Sequence, residues 1–434
     1  MDLPTHNLGD ELQIRYWHKF SYSTYDYGQT QIQVWDDVSQ TWGSWISIGN
    51  SFTGVSQGWV PMVIDVSAYA GETVRLGFLH AADSNCGACA TESSGWFIDN
   101  IQIMAVTPNF TGGFETGWHD WWPTKGIWQV GEDSNVCYGG TQCAATQFNG
   151  NYDRWQDSRL VSAQMDFPAQ GMGEEVQLRF RHKFSYSTYD YGQAQIQVWD
   201  DVSQAWGSWT PIGNSYTGVS QGWVPMIIDV SDYSGETVRL GFLHAADSNC
   251  GACATESSGW FIDDIQIMAV TPSFSGDFES GWHDWWPTKG IWQVGEDSNV
   301  CYSGTQCAAT QLNGNYDRWQ DSRLVSARMD TPALGIGEEL QLRFQHSFVY
   351  SSFDSGQVQI QVWDDVNQTW GVWEPIGDSV AGNSQGWVPM VIDVSAYAGE
   401  SVRLGFLHAA DSNCGACATE SSGWFIDDIQ VILF

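Results

Sequence analysis

The sequence predicts an all-β chain of tandem antiparallel β-sandwich domains, one partial copy followed by two complete copies. Two observations carry this. The segment FLHAADSNCGACATESSGWFID, Phe78–Asp99, returns unchanged at Phe242–Asp263 and again at Phe406–Asp427, each time 164 residues further on. A period of that length is a whole domain, not a solenoid unit of a few tens of residues. Within a copy, apolar and polar residues alternate with period two and no long 3.6-residue periodicity interrupts them, which is the pattern of half-buried strands.

The chain opens inside a repeat. Met1-Asp2-Leu3-Pro4 corresponds to Met165-Asp166-Phe167-Pro168 and to Met329-Asp330-Thr331-Pro332. It therefore reads as a fragment, or a misplaced start, of a longer array, with any secretion signal expected upstream. Residues 1–106 are the C-terminal two-thirds of a copy. Residues 107–270 and 271–434 are complete copies, joined through AVTPNF and AVTPSF. Junctions this short hold neighbouring domains close together.

In the second copy, Glu175 to His182 alternates and predicts a strand. Gln195 to Trp199 predicts another, running into the turn Asp200-Asp201-Val202-Ser203-Gln204. Trp206 to Trp209, Val224 to Val230, Thr237 to Leu243 and Trp260 to Met268 complete the set. Many short strands with Gly, Asn, Asp and Ser turns form a sandwich. Asp65 to Gly71 is the one weak helical candidate.

The chain carries 51 Asp+Glu against 16 Lys+Arg, a net charge of −35, and only 15% of its residues are charged. The acids are ordinary in number for this length; the bases are missing. That excludes nucleic acid as a partner, because phosphate binding needs clustered cations. It favours divalent cations, since carboxylates without ammonium neighbours need another counter-charge. No apolar span is long enough to predict a membrane helix.

The ten cysteines form five close pairs: Cys86/Cys89, Cys250/Cys253 and Cys414/Cys417 as CxxC, and Cys137/Cys143 and Cys301/Cys307 as C-x5-C. Repeated even spacings predict local disulfides and an oxidising, extracellular or cell-surface compartment. A redox CxxC would open a helix in an α/β pattern, which is absent. Haem attachment needs His after the second Cys, where Ala stands in all three copies. Zinc would find only three ligands in His80, Cys86 and Cys89.

The ordered set Phe114-Glu115, a Trp-rich stretch to Trp128, Asp157 to Ser162, Asp190-Tyr191-Gly192, Gly222-Trp223 and Gly259-Trp260-Phe261-Ile262-Asp263-Asp264-Ile265 resembles the MAM-like, concanavalin A-like jelly rolls of secreted proteins, the choice-of-anchor group among them. The resemblance covers essentially the whole chain. It implies jelly-roll sandwiches that serve as non-catalytic modules for adhesion, glycan contact or assembly, often with a structural calcium ion. The CxxC and the density of Trp depart from that family.

The first chemical candidate is a calcium site. By alternation Phe261, Asp263, Ile265 and Ile267 share one face, so Asp263 points a carboxylate toward the core, and Asp427 repeats the arrangement. The resemblance implies that the opening Glu lies beside this strand, which adds Glu115 and Glu279. The alternative is that Asp263 caps a turn or accepts backbone N–H groups. Asp99 has no such Glu in the chain, so its site is expected to be absent or completed by another chain.

The second candidate is aromatic. There are 26 Trp, and flat aromatic faces beside polar groups are what a glycan site requires. Trp118, Trp121, Trp122, Tyr186 and Tyr189 are the candidates; the alternative is that the tryptophans fill cores and inter-domain contacts. Catalysis finds no nucleophile elbow, HExxH or phosphate loop. The sequence thus predicts a non-catalytic, secreted structural or adhesive array that assembles head to tail with copies of itself into a filament or surface layer. The alternative is a carbohydrate-binding array of a larger extracellular enzyme or adhesin.

Overall fold

In the computed structural model the described residues are 1–434 apart from 6–9, 24, 83–92, 108–109, 133–135, 188, 247–255, 273, 297–299, 320, 368 and 411–419. They are all-β: every strand pair named below is antiparallel, and the described residues contain only strands, turns and three short 3-10 turns. One of these, Ser67–Tyr69, is the weak helical candidate, pinned by Asp65 Oδ1 accepting from the Ser67 N–H at 2.9 Å. Three of the five expected disulfides fall outside the described residues: Cys86 with Cys89, Cys250 with Cys253, and Cys414 with Cys417.

The third copy shows the architecture whole. One sheet runs in the order Trp286–Pro287, Ser322–Val325, Ser401–Ala409, Ser355–Asp364, Thr369–Trp370. The other runs Gln293–Glu296, Gln306–Ala309, Gly423–Leu433, Leu340–Val349, Val388–Asp393. Alternation decides which side chains meet between them: along Leu340–Val349 the buried residues are Leu340, Leu342, Phe344 and His346. Phe344, Phe406, Trp285, Trp292 and Trp424 fill the space between the sheets. Aromatics of this size bury large apolar area, and Trp424 meets Phe406 edge to face at 5.6 Å.

The chain separates into two compact units, one of residues 1–167, 185–217 and 235–265, the other of residues 168–184, 218–234 and 266–434. Their edges do not follow the copy boundaries at 106/107 and 270/271. The reason inside the first unit is plain: the core cluster of the first copy continues into Trp122 and Val161 of the second. Successive copies share apolar packing there, and not merely a linker.

One expectation about the closing strand is corrected. In the ladder between Leu340–Val349 and Gly423–Leu433, the pairs Gln345↔Asp427 and Arg343↔Gln430 leave one extra residue on the second strand, a β-bulge. Asp428 takes φ +49° there, as does Asp264. The bulge reverses the alternation. Trp424 and Ile426, and beyond the bulge Ile429, line the main core, whereas Phe425 packs on the other face with Cys307 and Leu312. Asp427 is buried, but on the outer face of the sheet and not toward the inter-sheet core.

Candidate functional site

The disulfides Cys137–Cys143 and Cys301–Cys307 are formed, as their spacing predicts. The cysteines of the CxxC segments (Cys86, Cys89, Cys250, Cys253, Cys414 and Cys417) lie outside the described residues. Each formed disulfide closes a small loop on which two carboxylates converge from different parts of the chain. Asp263 Oδ2 accepts from the Gly139 N–H at 2.9 Å, and its Oδ1 accepts from Asp264 N–H at 2.8 Å. Glu115 accepts from the backbone N–H groups of Thr141 at 2.9 Å and Gln142 at 3.1 Å. The second loop repeats this with Asp427 on Ser303 N–H at 3.0 Å and Glu279 on Thr305 and Gln306. Gly140 and Gly304 sit so close to the glutamates that a Cβ would meet a carboxylate oxygen.

The two carboxylates differ electrostatically. Backbone N–H donors hold Glu115 and Glu279 below the usual carboxylate range. Burial pushes Asp263 and Asp427 up to about 6, against the pull of their backbone donors. Glu115 and Asp263 thus meet on one loop and Glu279 and Asp427 on the other, and the hydrogen bonds they make are those of the backbone-accepting alternative. No group of three or more His, Cys, Asp or Glu side chains gathers in metal-ligating array among the described residues. Asp99 stands apart: it is exposed and accepts from the N–H of Asn100 at 2.7 Å.

The aromatic candidates divide. Trp121 is 1% exposed, with its indole N–H on the Thr111 carbonyl at 2.7 Å, so its face is closed to any ligand. Tyr186 is buried too, its hydroxyl 2.8 Å from Nδ1 of His244. Both are core residues, the alternative to glycan contact. Tyr189 is exposed. Trp118 is half-buried and lines a cleft of about 360 Å³ with Arg15, Trp17, Asn100 and His119.

Trp122 opens on something larger. Together with Trp199, Trp206 and Trp209 it lines a cleft of about 660 Å³ in the first unit, shared with Asn50, Asp65, Gln197 and Arg239. Trp199 and Trp206 are cross-strand partners of one hairpin, edge to face at 5.4 Å. The turn of that hairpin is set by Asp200 Oδ1, which accepts from Val202 and Ser203 N–H. The Arg239 guanidinium lies 3.9 Å from the Trp206 ring centre and 5.5 Å from that of Trp122, with Asp65 Oδ2 at 4.0 Å. Burial lowers Arg239 to about 10, still charged at neutral pH. Trp209 lies over the strand Thr237–Ala245, where Gly241 leaves it room; a Cβ there would stand 2.5 Å from the ring.

The sequence reading singled out only Trp122 of these four. A glycine in the interior of a strand, Gly241, is the signal that marks the close approach of another group.

No protein-family model matches the chain. A stretch of 166 residues, 37% of this chain, is 28% identical to Bacillopeptidase F of Bacillus subtilis (strain 168), and it spans only 11% of that protein. Among solved structures the chain is similar to the N-terminal CBM22-1–CBM22-2 tandem domain of Paenibacillus barcinonensis Xyn10C at 15% identity and TM-score 0.26, over 74% of this chain and 96% of that one. It is also similar to the tandem CBM51 modules of Sp3GH98, the family 98 glycoside hydrolase of Streptococcus pneumoniae SP3-BS71, at 7% identity and TM-score 0.14, over 62% and 84%.

The raised carboxyls give a pH signature. Asp263 and Asp427 titrate near 4 when unfolded and at about 6 when folded. Their stabilising contribution is therefore complete below about pH 4 and is lost as pH rises through about 6. In chelator, wild type should lose up to about 3 kcal/mol per carboxyl between pH 4 and pH 7.5, relative to the Asp263→Asn/Asp427→Asn variant. Urea unfolding midpoints of the two proteins across that range check it.

Proposed function

We propose that this chain is a non-catalytic, carbohydrate-binding array of β-sandwich copies that works outside the cell. The observation that supports the reading is the cleft lined by Trp122, Trp199, Trp206 and Trp209. Its volume lies in the range of ligand pockets, and it combines what such pockets combine: apolar walls and a few convergent polar groups. The indole faces suit the apolar faces of pyranose rings, and Asn50, Gln197 and Asp65 supply donors and acceptors at the walls. Arg239 has Asp65 beside it, so its charge is matched, which suits a neutral oligosaccharide. The two formed disulfides support an oxidising compartment. The domain boundaries we propose are 1–106, 107–270 and 271–434, each copy a MAM-like jelly roll.

Titration calorimetry with cellohexaose, xylohexaose and chitohexaose tests the reading. At least one should bind, and Trp199→Ala should weaken it about tenfold or more, the scale of one lost aromatic contact. Trp155→Ala, on an exposed loop tryptophan outside this cleft, should leave affinity unchanged. No binding by wild type to any of the three overturns the reading.

Calcium is proposed at the two carboxylate pairs, Glu115 with Asp263 and Glu279 with Asp427. What supports it is the pair of desolvated aspartates: a divalent cation taking their oxygens, with carbonyls and water, relieves the cost of ionising them at neutral pH. Its role is structural, holding the opening segment to the closing strand. Calcium should raise the thermal midpoint at pH 7.5 by several degrees over chelator, and Asp263→Asn/Asp427→Asn should abolish the rise. Equal midpoints in calcium and chelator would remove the ion from the proposal.

Head-to-tail self-association is a second reading with its own support. Val63 and Ile227 are 8% and 7% exposed, while their counterpart in the third copy, Val391, is 54% exposed, and Glu339, the counterpart of the buried Glu11 and Glu175, is open as well. A second chain is proposed to cover that face with Trp42 and Arg75 of its first copy, which keep the 3.9 Å stacking contact seen at Arg239 and Trp206. Sedimentation should show concentration-dependent association that Val391→Glu prevents. A wild-type chain monomeric at high concentration excludes it.

A further inference from the structure

The two units each contain one meeting of successive copies, built from corresponding residues. In the first, the faces of Val63 and Asp65 meet Trp122, Trp206 and Arg239; in the second, Ile227 and Asp229 meet Trp286, Trp370 and Arg403. Arg403 lies 4.2 Å from the Trp370 ring, as Arg239 does from Trp206 at 3.9 Å. Yet the first leaves a cleft of about 660 Å³, while the second leaves about 20 Å³ and a separate space of about 250 Å³.

The sequence difference that separates them is small. Where the first has Val63, Ala68, Gln164 and Ala205, the second has Ile227, Asp232, Arg328 and Thr369, larger at every position. Arg328 is the decisive change, because its side chain lines both remnants of the second space while Gln164 does not line the first cleft at all. Its guanidinium lies 5.4 Å from the ring of Trp363, the counterpart of Trp199. It is held there by Nη2 donating to Ser401 Oγ at 2.9 Å and by Asp330 Oδ1 at 3.8 Å. A guanidinium stacks flat on an indole and presents donors at its edge. That is the same pair of contacts a pyranose ring makes, with its hydroxyls in place of the N–H groups.

We propose that Arg328 is a built-in plug: it occupies on Trp363 the position that a sugar ring occupies on Trp199, so the chain holds one open oligosaccharide site and one closed by its own side chain. This rests on the carbohydrate reading above, and the experiment separates the two. Copy number and site number are thereby uncoupled, and residue 328 sets the valency of the array for neutral oligosaccharides.

Calorimetric titration with the hexaose that wild type binds reads the stoichiometry. Wild type should bind one molecule per chain, Arg328→Gln two, and Gln164→Arg should weaken the first site at least tenfold, with circular dichroism confirming that each variant keeps its β-sheet spectrum. A stoichiometry that stays at one in Arg328→Gln, or Gln164→Arg binding like wild type, overturns the plug while leaving the carbohydrate reading intact. Wild type that binds none of the three hexaoses overturns both.

Discussion

A buried arginine caught between two indoles and two carboxylates is the interaction on which the array depends. Arg239 lies between Trp206 and Trp122 and faces Asp65 and Glu11; Glu11 is 5% exposed. Burial and the neighbouring Asp65 push Glu11 up. Removing one member of such a set leaves an uncompensated buried charge, which costs far more than the set contributes while whole. The second unit repeats the arrangement with Arg403, Glu175 and Asp229, whose charges act on one another in the same sense. Specific register between copies follows, because a slip would strand these charges in an apolar setting.

The charge composition takes on meaning in this light. With 16 bases against 51 acids, where each arginine stands matters. Arg15 pairs with Asp120 at 2.7 Å, and Arg179 with Asp284 at 2.9 Å, each joining one copy to the next within a unit. Arg154 and Arg318 tie the loop after Tyr152 or Tyr316 to Glu256 or Glu420. These four arginines are engaged in fixed structural contacts with carboxylates.

Much of the fold was legible because alternation with period two is a local property. Leu340, Leu342 and Phe344 read as one face from sequence and form one face in the core. The bulge was not legible. It is carried by Asp264 and Asp428 at φ +49° and not by glycine, so nothing in the letters marks the extra residue, and the side of the sheet taken by Asp263 was misread although its burial was not. Tryptophan is the harder case. Trp121, sealed against Phe114, and Trp122, one residue later on the cleft wall, are the same residue type in the same run. Which faces inward is settled by a tertiary partner such as Arg239, more than a hundred residues away.

The disulfide loops carry a consequence for how such a chain matures. Copies this similar are prone to exchange strands with one another while unfolded, and long-range sulfur bridges would lock such mistakes in place. Cys137 and Cys143 are six residues apart, as are Cys301 and Cys307. A staple that short closes on its own segment whatever its neighbours are doing. Closing these two bridges therefore traps no exchange between copies: a bead can misassemble, let go and try again with that bond already correct.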